Sequence, residues 1–141
     1  MRHKIQLAGL SHLIEVDSAG TGEWHIGKQP HAGTRELLEH YRISYEGIRA
    51  RQFHEHDFQN FTYIVCMDES NERDVRVWKG ANEGNSVIFR FMELLPEEQD
   101  ANVPDPYYTG NFDEVYRLVA AGCDRLLHRI LTEQDQLKQN G

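Results

Sequence analysis

The run Phe61-Thr62-Tyr63-Ile64-Val65-Cys66-Met67 constrains the fold of this chain more than any other stretch, because it is apolar almost throughout. A strand with one wetted face alternates apolar and polar residues, so an unbroken run of this length suits a strand covered on both faces, as in a parallel sheet. Parallel neighbours need a crossover between them. The sequence supplies one: Asp68-Glu69-Ser70-Asn71 opens a helix that runs to about Lys79, with Ser70 as its N-cap and acids near its positive end. After a turn at Asn82 to Asn85, Ser86 to Phe91 reads as the next strand.

The flanking segments extend the same alternation. Met1 to Leu10 reads as a helix with Ile5, Leu7 and Leu10 as apolar positions, and it starts without a capping residue. Leu13 to Asp17 reads as a short strand, closed by the loop Ser18-Ala19-Gly20-Thr21-Gly22. That loop continues through Trp24 to Pro30, and Trp24 either lines a pocket or anchors the loop on the core. Gly33 to Tyr41 reads as a helix, Ile43 to Ala50 as a connection, and Phe53 to Phe58 as one more helical turn. Pro96 to Asn102 is an acidic, exposed loop. Beyond Gly110, Phe112, Val115, Leu118, Val119, Cys123, Leu126 and Ile130 recur at three- and four-residue steps, which predicts a long helix with one apolar stripe, followed by a polar tail after Leu131. Helices alternating with short apolar strands make an α/β fold with a parallel sheet, in one domain over residues 1–141.

Charge and composition exclude several partners. The net charge is −8 and Lys and Arg are scattered without a basic stripe, which argues against nucleic acid or an anionic membrane. No apolar run approaches the ~20 residues of a membrane span and no signal peptide opens the sequence, so the cytoplasm is expected. His54 and His56, two residues apart, point to different faces of a helix, and no cluster with ligand spacing accompanies them. No metal is expected, and Cys66 and Cys123 read as buried free thiols.

The candidate site lies in Val103-Pro104-Asp105-Pro106-Tyr107-Tyr108-Thr109-Gly110, where one carboxyl group stands between two prolines and ahead of two aromatic rings. Each proline fixes its own φ and pushes the preceding residue toward extended geometry, so Asp105 is presented stiffly. An acid so held beside Tyr107 and Tyr108 suits proton donation to the leaving group of an aromatic substrate. The same residues also make an ordinary loop and helix start. Ligands of parallel sheets bind at the carboxyl ends of the strands, and Asp17-Ser18, Met67-Asp68 and the Asp105 loop each follow a strand or stand close after one. Three segments are therefore expected to converge on one cleft.

Four motifs in register, Asp17-Ser18-Ala19-Gly20 followed by Trp24, Ala50-Arg51-Gln52, Met67-Asp68-Glu69-Ser70-Asn71 and Asp105-Pro106-Tyr107-Tyr108, resemble the low-molecular-weight protein tyrosine phosphatases from Met1 to about Ile130. The resemblance implies a three-layer α/β/α domain with a four-stranded parallel sheet. It also implies cofactor-free hydrolysis of phosphotyrosine, in a protein or a small aryl phosphate, through a cysteinyl-phosphate intermediate. By the same resemblance Asp105 is the general acid and base, Trp24, Tyr107 and Tyr108 wall the aromatic substrate, and Ser18, Asp68 and Asn71 support the site.

One departure from the family bears directly on activity. The family opens with a strand and a phosphate-binding loop of the form Cys, five residues, Arg, Ser, and Met1 falls at a position inside the helix that follows. The nucleophilic cysteine, the phosphate-clamping arginine and the first, central strand are therefore expected to be missing from this chain. Neither cysteine present substitutes: Cys66 falls inside a core strand and Cys123 within the last helix, with no arginine five residues on and no phosphate-sized nest. Losing a central strand leaves buried N–H and C=O groups unpaired at roughly 1 to 3 kcal/mol each, against a total stability of ~5 to 15 kcal/mol. The expectation is a truncated phosphatase, inactive alone, with an unpaired sheet open to self-association. The alternative is a non-catalytic phosphatase-like binding module or natural short form.

Overall fold

Tyr63–Cys66 (β1) and Val87–Arg90 (β2) pair in parallel, with Tyr63 opposite Val87 and Cys66 opposite Arg90. The computed structural model describes residues 1–22, 26–80, 84–105 and 110–140. In chain order its elements are α1 (Arg2–Leu7), α2 (Ala32–His40), α3 (Asp57–Asn60), β1, α4 (Glu69–Lys79), β2, a 3-10 turn (Phe91–Leu94) and α5 (Phe112–Asn140). Among the described residues the sheet has two strands, and no helix is long and apolar enough to cross a membrane.

The two-residue period of β1 divides the core in two. Ile64 and Cys66 face a cluster with Phe58 and Val75, joined by Phe53, Phe61 and Ile88. Tyr63 and Val65 face the opposite cluster, where Phe89, Phe91, Met92, Leu94 and Leu95 meet Leu118, Cys123 and Leu126 of α5. This is why Tyr63 to Cys66 are apolar on consecutive residues: each of the four side chains enters a layer. Burying one side chain of the size of Phe58 or Leu95, both almost wholly shielded, stabilises the fold by about 1.5–3 kcal/mol. At the far edge of the sheet the Tyr63 hydroxyl donates to Glu133 Oε2 at 2.5 Å.

α5 organises the helical layer. Lys4 of α1 pairs with Asp124 at 2.8 Å. Tyr41, after α2, stacks on Tyr116 with centroids 4.0 Å apart, and the Phe112 ring lies where a Cβ on Gly33 would stand. α2 therefore comes close to α5 where Gly33 leaves room.

Several boundaries differ from the sequence reading. Leu13 to Asp17 is not a strand: Leu13 sits in a turn, 68% exposed, and the sheet-like pairing nearby is a single bridge between Gly20 and Gln52. The alternation of Ile14 and Val16 marks which side chains turn inward, but a strand also needs a neighbour to bond. The N-cap of α4 is Asp68, not Ser70, because Asp68 is extended and its carboxylate accepts from Asn71 N at 2.7 Å. The helical turn expected over Phe53 to Phe58 begins later, at Asp57. The polar tail after Leu131 continues α5, with Glu133 accepting from Arg129 four residues earlier. The strand reading through Phe91 overruns, since Phe91 starts the 3-10 turn. The turn at Asn82 to Asn85 lies partly outside the described residues.

Gly122 is a sharp probe of this packing. It sits inside α5, and a Cβ there would fall on the ring of Phe91, which is 2% exposed and has no room to move. Alanine gains up to about 1 kcal/mol of helix propensity but incurs about 1–3 kcal/mol of overpacking. Gly122→Ala is expected to lower the thermal unfolding midpoint; an unchanged or higher midpoint would refute the tight α5 contact.

Candidate active site

The carboxyl ends of β1 and β2 are where polar groups gather. The chain leaving β1 reaches Met67 and Asp68, and Asp68 caps α4 while Glu69 and Glu72 lie in its first turn, favourably placed at the positive end of the dipole. The loop that leads to Asp105 is tied to this edge. Val103 N donates to Met67 O at 2.9 Å, Glu69 N donates to Asn102 Oδ1 at 2.8 Å, and Arg90 Nη1 at the end of β2 donates to Ala101 O at 3.2 Å. Arg90 Nε also lies 3.3 Å from Glu72 Oε1, an ion pair by distance whose direction is not that of a hydrogen bond. Asp105 follows two residues after the Val103 tie, its side chain exposed. The segment before Asp105 is thus tied to the residues on either side of Asp68. Asn71 takes part through its backbone, and it is half-buried.

Ser18 belongs to a second network centred on Arg51. Its N–H donates to Asp17 Oδ1 at 2.8 Å, and Arg51 Nε donates to Asp17 Oδ2 at 2.8 Å. The other side of the guanidinium forms a fork on Asp57, at 3.0 and 3.1 Å, and His54 N donates to the same carboxylate at 2.9 Å. Asp57 is 6% exposed. Burial acts to raise its pKa, but the hydrogen bonds from Arg51 and His54 outweigh that and hold it below the usual value. The backbone around Arg51 fastens both ends of the loop that contains Trp24. Gly20 N donates to Arg51 O at 2.8 Å and Phe53 N to Gly20 O at 2.8 Å, while Gly27 N donates to Ala50 O at 2.7 Å and Ala50 N to Lys28 O at 2.9 Å. Sequence reasoning assigned Arg51 no role; its signal was an arginine between two acids far apart in the chain. Trp24, Tyr107 and Tyr108 lie outside the described residues.

Both cysteines are free thiols and buried. Cys66 is 4% exposed on β1, and burial, with a further push from the Glu72 carboxylate, raises its thiol to about 11. Cys123 corrects one point of the sequence reading. With five residues between them, Cys123 and Arg129 do have the spacing of a phosphate loop. Both lie within α5, however, where successive N–H groups bond along the helix instead of converging on an anion. Cys123 is 5% exposed, Arg129 is engaged by Glu133 and stacked over Phe89 at 4.3 Å, and Ile130 follows where the family has Ser.

His54 and His56 are exposed, their rings edge to face at 4.5 Å, and no metal-binding group occurs among the described residues. Two surface clefts, about 600 Å3 beside Glu39, Arg42 and Tyr45 and about 690 Å3 beside Ile5, His12 and Ile14, contain none of the candidate residues. The strand edge is the better candidate, since it carries the Asp68 cap and the ties of the loop that leads to Asp105.

The family model for low molecular weight phosphotyrosine protein phosphatase matches residues 1–139. The low molecular weight protein-tyrosine-phosphatase YfkJ of Bacillus subtilis is 45% identical over 126 residues, covering 89% of this chain and 80% of that protein. Its crystal structure superposes with a TM-score of 0.88 over 94% of this chain and 82% of that one, at 44% identity. PtpA of Staphylococcus epidermidis, another protein so named, is 38% identical over 133 residues, covering 94% of this chain and 82% of it. The drosophila arginine phosphatase has a TM-score of 0.84 at 25% identity, covering 92% of this chain and 84% of that one.

Replacing Arg51 by Met strips buried Asp57 of its ion pair and leaves it the His54 N–H bond. The expected loss is about 3 kcal/mol, the low end for a broken buried pair because the Arg51 side chain keeps 35% of its exposure. A depressed carboxylate pKa stabilises the fold fully above its unfolded value, and that contribution vanishes as pH falls through the folded one. The deficit in urea unfolding is therefore expected at neutral pH and should narrow in acid, below the usual 3.8. A deficit that persists unchanged at low pH would contradict the electrostatic origin.

Proposed function

Because this chain belongs to the low molecular weight phosphotyrosine protein phosphatase family, we propose that it forms the body of an enzyme that hydrolyses phosphotyrosine monoesters through a cysteinyl-phosphate intermediate. In this reading a cysteine attacks phosphorus while Asp105 protonates the departing phenolate, and Asp105 then acts as base toward the water that releases phosphate. Trp24, Tyr107 and Tyr108 wall the phenyl ring, and Ser18, Asp68 and Asn71 support the phosphate end. The substrate is a phosphotyrosine-containing protein or a small aryl phosphate; an aromatic wall suits a phenyl ester better than a phosphoguanidine. No cofactor takes part. The enzyme is assigned to the cytoplasm, where thiols stay reduced, and residues 1–141 are read as one phosphatase-like domain that lacks the family's opening strand and loop.

The observation that supports this reading most is the bond from Val103 N to Met67 O, which keeps the Asp105 loop at the carboxyl end of β1 beside the N-terminus of α4. The 141 residues hold no Cys-five-Arg-Ser run. We therefore assign the nucleophile, the clamping arginine and the further central strand of a four-stranded sheet to none of these residues, and read the chain by itself as inactive. A second reading, a non-catalytic module that takes a strand from a partner or a second copy, is favoured by β1, which pairs with β2 alone among the described residues.

The test supplies a strand and phosphate loop of the family's form ahead of Met1 and measures kcat/KM on phenyl phosphate. Asp105→Asn is expected to lose about 100-fold or more. Equal turnover by the two proteins would sink the general-acid assignment. No activity with the loop restored would favour the binding module.

A further inference from the structure

A general acid works only if its proton is held at the leaving oxygen, so whatever fixes the Asp105 loop bears on the first chemical step. Three consecutive residues just before Asp105 are tied down: Ala101 through its carbonyl to Arg90, Asn102 through its side chain to Glu69, and Val103 through its N–H to Met67. Of these, Asn102 alone uses a side chain of the loop itself. Its own N–H donates to Asp100 Oδ1 at 2.9 Å, so its backbone is set in a turn while its amide oxygen reaches α4.

The partner it takes is an orphan. The first N–H groups of a helix have no carbonyl behind them. In α4 the Asn71 N–H is met by Asp68 from within the helix's own cap, but the Glu69 N–H is met by Asn102 from across the edge, at 2.8 Å. The bond spans 33 residues and joins the element that caps at Asp68 to the loop that carries Asp105. From Asn102 to Asp105 only Val103 and Pro104 intervene, and the proline leaves that arm little freedom.

We infer that Asn102 is a positioning residue for Asp105, acting by pinning the acid's loop to the N-terminus of α4; this rests on the reading of Asp105 as the general acid. The Val103 and Arg90 ties survive its loss, so Asn102→Ala removes the pin without removing the loop from the sheet edge. Asn102→Asp keeps an acceptor at the same place, where the helix dipole favours it.

The experiment uses the enzyme with its phosphate loop supplied and compares kcat/KM on phenyl phosphate, whose leaving group needs a proton, with a dinitrophenyl phosphate, whose leaving group does not. Asn102→Ala is expected to lose about tenfold on phenyl phosphate and stay within about twofold of the parent on the dinitrophenyl ester, with Asn102→Asp recovering most of the loss. An equal loss on both esters, no loss on either, or no recovery in Asn102→Asp overturns the inference while leaving Asp105 in its role. Asp105→Asn in the same assay separates the two claims: if it treats the two esters alike, the general-acid reading falls and the inference with it.

Discussion

The parallel pairing of β1 with β2 is the constraint on which the rest of the molecule depends. Parallel strands point their carboxyl ends the same way, so the segments that leave them emerge on one side, and the crossover between them has to pack against a face of the sheet. α4 does so through Val75, and α5 closes the opposite face through Leu118, Cys123 and Leu126. The alternation of Tyr63 and Val65 with Ile64 and Cys66 couples the two layers, since no residue of β1 can shift register without exchanging its core.

Acids at the carboxyl edge find compensating partners close in space, which matters in a chain of net charge −8. The acids stand where positive potential already exists: Asp68, Glu69 and Glu72 at the start of α4, Asp17 and Asp57 around Arg51. Buried Asp57 is tolerable because Arg51 and the His54 N–H compensate it. The same arginine draws Asp17, and with it Ser18, toward the strand-like segment Ala50 to Phe53. Arg117 and Arg125 of α5 hold Glu98 and Glu97 of the acidic loop in the same manner, so that loop is fastened along its length before it reaches Asn102 and Val103.

Local chemistry decided most of the elements read from the sequence. β1, β2 and α5 follow from apolar patterning and α4 from the acids at its start, because those signals depend on neighbours in the chain. What periodicity missed was nonlocal. Leu13 to Asp17 has the pattern of a strand but forms no bridge, the one nearby being between Gly20 and Gln52, since ladder bonds come from another segment. Asp68 took the cap from Ser70 because extended geometry at the end of β1 aimed its carboxylate at Asn71. Cys123 and Arg129 have the spacing of a phosphate loop, but Ile130 stands where the family has Ser, and the pair lies within α5 with Cys123 buried.

The sequence by itself therefore determined the α/β class, the two-sided strand and the family, because periodicity and motif order are properties of the chain. Tertiary structure decided which groups meet: Arg51 with Asp17 and Asp57, Asn102 with Glu69, Val103 with Met67. The partners of these contacts lie from 6 to 36 residues apart. Nothing in residue spacing encodes such pairs; they exist because the packed sheet brings its carboxyl ends and the start of α4 to one edge.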